Sequence, residues 1–208
     1  LGTVPQVSAD QPDEELTLHF RGAAAAGAPR VRVAPPAYPA QVFDYAQYLQ
    51  KTREAYRRAV ELARPHGVKI VIEMHCRTSA TSPGLAYQIV QGFDPADLGV
   101  IPDLGNFSIE GAITPHLAVS VLRDWIDHCH IGGSRRVQSD YDEAGFRRTS
   151  HVMCPLAESE LPIAAWLKAL ATLNRPIPLV IEDYTPNVPG RLRLTTSAQQ
   201  AQRLLKCL

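Results

Sequence analysis

The chain has 208 residues, of which 45% are hydrophobic, and its 21 basic residues balance its 21 acidic residues. This composition predicts a globular protein and excludes an intrinsically disordered one. A formal charge of zero indicates no surface for nucleic acid or anionic membrane. The apolar runs are far shorter than the roughly 20 residues that span a bilayer.

The four cysteines are widely scattered, and none forms a CxxC pair. This spacing argues against a zinc knuckle and against a disulfide framework. We therefore expect reduced thiols and a cytoplasmic location. No signal-peptide pattern is present at the amino terminus.

In the first half of the chain, predicted helices and strands alternate. Residues 11–27 have acidic side chains in the first turn and predict a helix, and a short β-branched strand follows at 30–34. A helical period of apolar and aromatic residues extends over 43–64. The unbroken apolar run at 68–73 predicts a buried strand, and a polar loop leads from it to a helix at 84–92.

The middle of the chain continues the same alternation. A strand is predicted at 99–103, a loop at 104–115, a helix at 116–126 and a strand at 127–131. Residues 132–160 have weak periodicity, which is typical of a long functional loop.

The last third supplies a helix over 161–173, a strand at 178–182 and a closing helix from about Ser197. Strands that alternate with helices imply parallel pairing and an α/β fold. An open doubly wound sheet would also alternate, but its Gly-rich turn after the first strand is missing. We therefore favour a (β/α)₈ TIM barrel.

Five to six of the eight strands of such a barrel are present. The first ten residues resemble the end of one further strand that runs into a loop, and the first residue is leucine rather than methionine. An eight-stranded barrel normally needs about 250 residues. We expect a single domain over 1–208 whose amino-terminal strands are missing.

Four of the apolar runs end on a residue that can bind a divalent metal: Glu73, Asp103, His130 and Glu182. Successive members of this set are 30, 27 and 52 residues apart. The first two separations match the length of one strand–helix unit. In a parallel barrel, the carboxyl ends of the strands point into the active-site mouth. One such residue alone is more often a solvated carboxylate or a packed histidine. Four at successive strand ends favour one shared metal site.

Three carboxylates and one imidazole suit Mn²⁺, Mg²⁺ or Co²⁺ better than Zn²⁺. Such an ion can hold two adjacent oxygens of a hydroxy-ketone and stabilise the enediolate that forms when a neighbouring carbon loses its proton. Glu73 and Glu182 are the candidate catalytic base and acid. His75 lies two residues after Glu73 and is a candidate substrate contact, or else the start of a loop.

Five segments carry a family resemblance: GAPRVRVAPP, GVKIVIEMH, LGVIPDLGNFSIEG, IDHCHIGGSRR and PLVIED. They resemble the sugar phosphate isomerase/epimerase superfamily with a xylose isomerase-like TIM barrel (AP endonuclease family 2). That group includes ketohexose 3-epimerases, inosose dehydratases and endonuclease IV. The resemblance covers most of the chain from Gly27 to Asp183.

The resemblance implies the same four metal ligands and the same pair of catalytic glutamates. It also implies that Arg136, six residues after His130, grips the substrate. Asn106 stands where the epimerases have a substrate-contacting histidine, so we expect Asn106 to contact the substrate instead. An acidic residue of the epimerase pattern is replaced by Gly132-Gly133, which weakens any transfer of epimerase specificity.

The expected function is a metal-dependent isomerase or epimerase of a small sugar or keto-polyol. One alternative is a metal-dependent dehydratase or lyase of the inosose type, in which the same enediolate expels a hydroxyl group. The other is an inactive, truncated barrel with a binding role. Such a barrel would expose strand edges, so a partner or a second copy in a homo-oligomer would cover them.

Overall fold

The computed structural model describes residues 5–7, 13–110 and 114–207 of the chain. The helices within these residues are α1 Asp13–Ala25, α2 Tyr45–Ala63, α3 Pro83–Val90, α4 Leu104–Glu110, α5 Pro115–Leu122, α6 Ile163–Ala171 and α7 Gly190–Lys206. The strands are β1 Arg30–Arg32, β2 Lys69–Glu73, β3 Leu98–Ile101, β4 Cys129–Ile131, β5 Gly133–Tyr141, β6 Arg147–Cys154 and β7 Leu179–Ile181. Within the described part of the chain, no helix is both long and apolar enough to cross a bilayer.

The structure divides into two compact units. The first contains the described residues up to Pro102 together with Ser120–Asp127. The second contains the described residues of Asp103–Val119 and those from His128 onward.

The first unit is built on a parallel sheet in the order β1-β2-β3. β2 and β3 are almost wholly buried, which explains their unbroken apolar sequences. Helix α2 buries one face, on which Tyr56 is fully enclosed and donates a hydrogen bond to the Val33 carbonyl oxygen at 3.1 Å. Asp44 caps α2 by accepting from the Gln47 backbone N–H at 3.1 Å.

At the amino terminus, Gln6 forms a parallel bridge with Ala34. This pairing agrees with a strand in that region. The rest of the predicted strand end, at residues 1–4 and 8–10, lies outside the described residues.

The second unit contains the parallel pair β4-β7 and the antiparallel hairpin β5-β6. Helix α6 buries an apolar face, and Trp166 on that face stacks against Phe107 of α4 at a centroid distance of 5.0 Å. β7 is less buried than the other parallel strands, since Val180 is 39% exposed. Within the described residues, β7 pairs with β4 alone.

Three predictions about the elements were wrong. Residues 132–160 are not a long loop, since β5 and β6 form an extended hairpin there. The predicted loop at 104–115 contains helix α4. The closing helix begins at Gly190, seven residues before Ser197. The five predicted parallel strands, in contrast, are all present within two residues of their predicted bounds.

Candidate metal centre

Backbone pairing in the second unit brings three of the predicted ligands to neighbouring strand ends. Asp103 forms a parallel bridge with His130. His130 is the central residue of β4, in register with Val180 of β7. Glu182 follows β7 directly, and its backbone N–H donates to the Ile131 carbonyl oxygen at 3.0 Å. The three side chains therefore start from adjacent positions at the same edge.

The ligand atoms of Asp103, His130 and Glu182 lie within 4.8 Å of one another. His130 Nδ1 is 3.5 Å from Asp103 Oδ2 and 3.2 Å from Glu182 Oε1. A Mg²⁺-sized ion with ligands at about 2.0–2.1 Å separates neighbouring ligands by about 3 Å and opposite ones by about 4 Å. The spacing and the oxygen-rich donor set therefore fit a hard divalent cation.

The environment of these three residues is largely closed to water. Asp103 and His130 are each 5% exposed, whereas the Glu182 side chain is 25% exposed. Buried charges in proteins are paired or bind metals, because an isolated buried charge is strongly unfavourable. Glu182 is therefore the most accessible of the three side chains.

Asp103 is held in place by the helix that follows it. Its Oδ1 atom accepts a hydrogen bond from the backbone N–H of Asn106 at 2.9 Å, which is the geometry of a helix N-cap at the start of α4. Asn106, a predicted substrate contact, therefore lies one turn into α4, next to Asp103. The other carboxylate oxygen, Oδ2, faces His130.

Glu73 lies in the first unit as the last residue of β2, and it is 4% exposed. The guanidinium of Arg32, at the end of β1, donates to Glu73 Oε2. This arginine was not singled out in the sequence. The alternation RVRVA was the available signal, because it places Arg30 and Arg32 on one face of β1. In register, Glu73 is opposite Ile101 of β3.

The remaining predicted contacts lie on exposed segments. His75 is in the loop after β2, where its Nδ1 lies 2.9 Å from the carbonyl oxygen of the adjacent Cys76. Arg136 is on the hairpin strand β5, directly opposite His151 of β6. Its backbone N–H donates to Glu160 Oε2 at 3.1 Å.

Cys129 precedes His130 on β4 but offers no thiolate. Burial raises the pKa of its thiol, and the negative charge of Asp103 raises the pKa further. The neutral thiol is a poor metal ligand, because metals bind the deprotonated sulfur. The candidate ligands near β4 are therefore His130 and the two carboxylates.

A hydrogen-bond network anchors the segment that carries Glu182. The next residue, Asp183, accepts from Ser197 Oγ of α7 at 2.7 Å and from the Thr185 backbone N–H at 2.9 Å. Burial raises the pKa of Asp183, but the bonds from Ser197 and Thr185 and the charge of Arg193 outweigh it, so the pKa lies below the ordinary 3.8. Ser197 thus ties α7 to the end of β7.

We expect Ser197→Ala to destabilise the fold by about 1–3 kcal/mol at pH 7, because it removes a hydrogen bond to a charged group. A depressed carboxyl pKa stabilises the folded state above the unfolded-state pKa of about 3.9 and ceases to do so as the pH falls through the folded-state value. The difference between variant and parent should therefore shrink below about pH 4. Urea unfolding at pH 7 and pH 3 measures it. Thr195→Ala, on an exposed part of α7, is the control; an equal loss in both variants would contradict the role of Ser197.

Comparison with known proteins identifies the fold. A family model described as "Xylose isomerase-like TIM barrel" matches residues 11–208. A sequence search among curated proteins gives no match.

Three solved structures illustrate the likeness. A xylose isomerase-like TIM barrel protein from Mycobacterium smegmatis in complex with magnesium is 20% identical, with a TM-score of 0.66 over 93% of this chain and 65% of that one. A D-tagatose 3-epimerase-like protein is 19% identical, with a TM-score of 0.71 over 97% of this chain and 76% of that one. An IolI protein with a bound zinc atom is 15% identical, with a TM-score of 0.74 over 95% of this chain and 72% of that one.

At these identities the structures establish the fold, which is an α/β TIM barrel as the sequence predicts. The described residues contain five of its parallel strands. The chain spans slightly less than two thirds of the Mycobacterium smegmatis protein, at 65%.

Proposed function

Since the chain belongs to the xylose isomerase-like TIM barrel family, we propose that it is a divalent-metal-dependent isomerase or epimerase of a small sugar or keto-polyol. The observation that carries this proposal is the convergence of Asp103, His130 and Glu182, whose ligand atoms lie within 4.8 Å of one another. Asp103 Oδ1 caps α4, but Asp103 Oδ2 and Glu182 Oε1 both face the imidazole of His130. These atoms match the donors that Mg²⁺, Mn²⁺ and Co²⁺ prefer.

Glu73 is proposed as the fourth ligand. It is opposite Ile101 in the parallel register of β2 and β3, so both side chains point to the same side of that sheet. Asp103 follows Ile101 by two residues, which returns its side chain to that side. This shared orientation of the Glu73 and Asp103 side chains, together with the burial of Glu73, supports the proposal of a common site for all four residues.

A bound divalent ion would supply positive charge where negative charge develops on the substrate oxygens. The chain's own residues would move the proton. One of the two glutamates, Glu73 or Glu182, removes the proton from the carbon next to the substrate carbonyl, and an enediolate forms. The other glutamate returns a proton to the opposite face, which inverts that carbon. Asn106 is proposed to bind substrate hydroxyl or carbonyl oxygens, and Arg136 is proposed as a further substrate contact.

The choice of metal is part of the proposal. The structural neighbours carry magnesium in one case and zinc in another. The fold therefore accommodates both metals, and the choice between them depends on the ligand atoms. With carboxylates in the majority, we propose Mn²⁺, Mg²⁺ or Co²⁺ ahead of Zn²⁺.

Proton exchange tests this function directly. We expect the purified protein with Mn²⁺, incubated in D₂O with a panel of ketoses and keto-polyols, to incorporate deuterium next to the carbonyl of at least one of them. Proton NMR follows both the exchange and the isomeric product. Glu73→Gln and Glu182→Gln should each lower the rate about 10²–10⁴-fold, the usual contribution of a general acid or base. Glu61→Gln, on the exposed side of α2, is the matched control.

Two outcomes would contradict the proposal. If no substrate in the panel exchanges its proton, the isomerase assignment fails. If the substrate loses water and gives an unsaturated product, the dehydratase alternative replaces it, because isomerisation leaves the mass unchanged apart from deuterium.

A further inference from the structure

A cavity on the hairpin lies close to the candidate metal centre and carries excess positive charge. Its volume is about 170 Å³, which corresponds to roughly five or six liquid water molecules at about 30 Å³ each. The lining includes Phe107, Ser134, Arg135, Arg136, His151 and Glu160. We propose that this cavity binds an anionic group of the substrate, a carboxylate or a phosphate, through Arg136 and His151. The inference deepens the proposed function, on which it rests, because it specifies an acidic sugar or sugar phosphate as the substrate class.

The register of the hairpin places the two side chains together. Arg136 and His151 are directly opposite on β5 and β6, so they lie on the same face with Cβ atoms about 4.5–5.5 Å apart. An arginine presents a planar fork of N–H donors that matches the oxygens of a carboxylate or phosphate. An imidazole N–H beside it can donate to the same group.

Neither group is already used by a carboxylate in the described part of the chain. His151 Nδ1 is buried and has no hydrogen-bond partner there. The second arginine, Arg135, is 3.5 Å from Glu158, whereas the described residues provide no such ion pair for the Arg136 guanidinium. Glu160 also lines the cavity, but its Oε2 accepts the backbone N–H of Arg136 and is thereby held at the wall. The lining retains one net positive charge when His151 is neutral.

Two segments connect the lining of this cavity with the region of the metal ligands. Phe107 lies one helical turn after Asp103, a rise of about 6 Å. On β6, Met153 is two residues from His151 on the same face, about 7 Å along the strand. The Met153 methyl group lies 3.6 Å from the positions that Cβ atoms on Gly105 and Gly132 would take. These glycines adjoin the segments that carry Asp103 and His130.

Both segments are only about 6–7 Å long, so the cavity is within reach of a short sugar chain that is held at the metal ligands. A neutral ketose would offer no negative charge to the exposed guanidinium of Arg136 and no anionic acceptor to the buried Nδ1 atom of His151. A buried polar atom without a partner is unfavourable, so the site would favour an anionic substrate over its neutral analogue. The specificity would therefore come from the hairpin, and the chemistry from the strand ends.

Anion binding in the absence of metal tests the inference. Inorganic phosphate and acetate are titrated separately into the metal-free protein, and the backbone amide resonances of the hairpin are followed by NMR. We expect Arg136→Gln and His151→Asn each to weaken binding at least tenfold. Arg136→Lys, which keeps the charge but loses the fork, should weaken it less. Arg148→Gln, an exposed arginine on the same hairpin that does not line the cavity, should leave binding unchanged.

The stronger of the two anions identifies the acidic group as a phosphate ester or a carboxylate. If neither anion binds, or if Arg148→Gln weakens binding as much as Arg136→Gln, the inference is overturned. A separate Mn²⁺ titration of the same variants should match the parent. If Mn²⁺ binds while the anions do not, the anion site is refuted and the metal centre is not. If the anions bind in the expected pattern while Mn²⁺ does not, the metal centre fails and the anion site stands.

Discussion

Asp103→Asn should reduce the affinity for Mn²⁺ about 100-fold or more. The substitution keeps the size and shape of the side chain but replaces a charged ligand with a neutral amide. The amide oxygen can still accept the Asn106 N–H that Asp103 Oδ1 now accepts at 2.9 Å, so the start of α4 is preserved. The loss should therefore come from the metal site and leave the fold of the metal-free protein close to that of the parent. Isothermal titration with Mn²⁺ measures the change.

Thermal unfolding gives an independent readout. A ligand that binds only the folded state stabilises it by about 2.7 kcal/mol when its free concentration is 100 times the dissociation constant. We expect this gain for the parent, its removal by EDTA, and little gain for Asp103→Asn. Asp124→Asn, at an exposed position, serves as the matched control. A parent that binds no divalent ion, or an Asp103 variant with parental affinity, would refute the metal centre.

The strand ends could be predicted from the sequence because a strand that is buried on both faces has an unbroken apolar sequence. β2 and β3 are covered on both faces, so the residues of β2 between Lys69 and Glu73, and those of β3 before Asp103, are apolar or glycine. The first polar residue after such a run then marks the rim of the sheet. This reasoning located the segments that the structure pairs at Asp103, His130 and Glu182.

The hairpin could not be predicted in this way because most of β5 and β6 is exposed on both faces. No alternation of polar and apolar residues therefore develops. The remaining signal is local: Asp142 accepts backbone N–H bonds from Ala144 and Phe146, and Gly145 has a φ of 82°. A turn of this kind with glycine at a positive φ is a common hairpin connection. His151, which faces Arg136 across this hairpin, was missed with it.

Helix α4 was missed for a different reason. Its sequence, LGNFSIE, is short and contains a glycine and an asparagine, both of which have low helix propensity. Tertiary packing of Phe107 on Trp166 and the cap supplied by Asp103 hold the helix. One carboxylate oxygen of Asp103 therefore caps helix α4, and the other faces His130. The sequence suggested only the second of these contacts.

Gly132→Ala is expected to have the second large effect, on both stability and metal binding. A Cβ atom at this position would lie 2.4 Å from the backbone carbonyl oxygen of Glu182 and 3.6 Å from the Met153 methyl group. The methyl group can move, but the carbonyl belongs to the residue that continues the β4-β7 pairing. The backbone must shift, at a cost of about 2–3 kcal/mol for an overpacked position.

The same shift would move Glu182 away from His130, from which its Oε1 is 3.2 Å in the parent. We therefore expect Gly132→Ala to weaken Mn²⁺ binding at least tenfold, in addition to lowering the urea midpoint. Gly22→Ala is the matched control, because nothing lies within 4 Å of its Cβ position and the residue is inside α1. That control should gain about 0.5–1 kcal/mol from the better helix former.

The two readouts separate packing from chemistry at this position. Destabilisation with unchanged Mn²⁺ affinity would mean that the backbone relaxes without displacing Glu182, and Glu182 would then not be a tightly positioned ligand. Unchanged stability would contradict the close approach of Gly132 to the Glu182 carbonyl. Loss of both, with Mn²⁺ affinity retained and stability not lowered in Gly22→Ala, is the result that a metal site built on the ends of β4 and β7 requires, because there the small size of Gly132 sets the position of the glutamate.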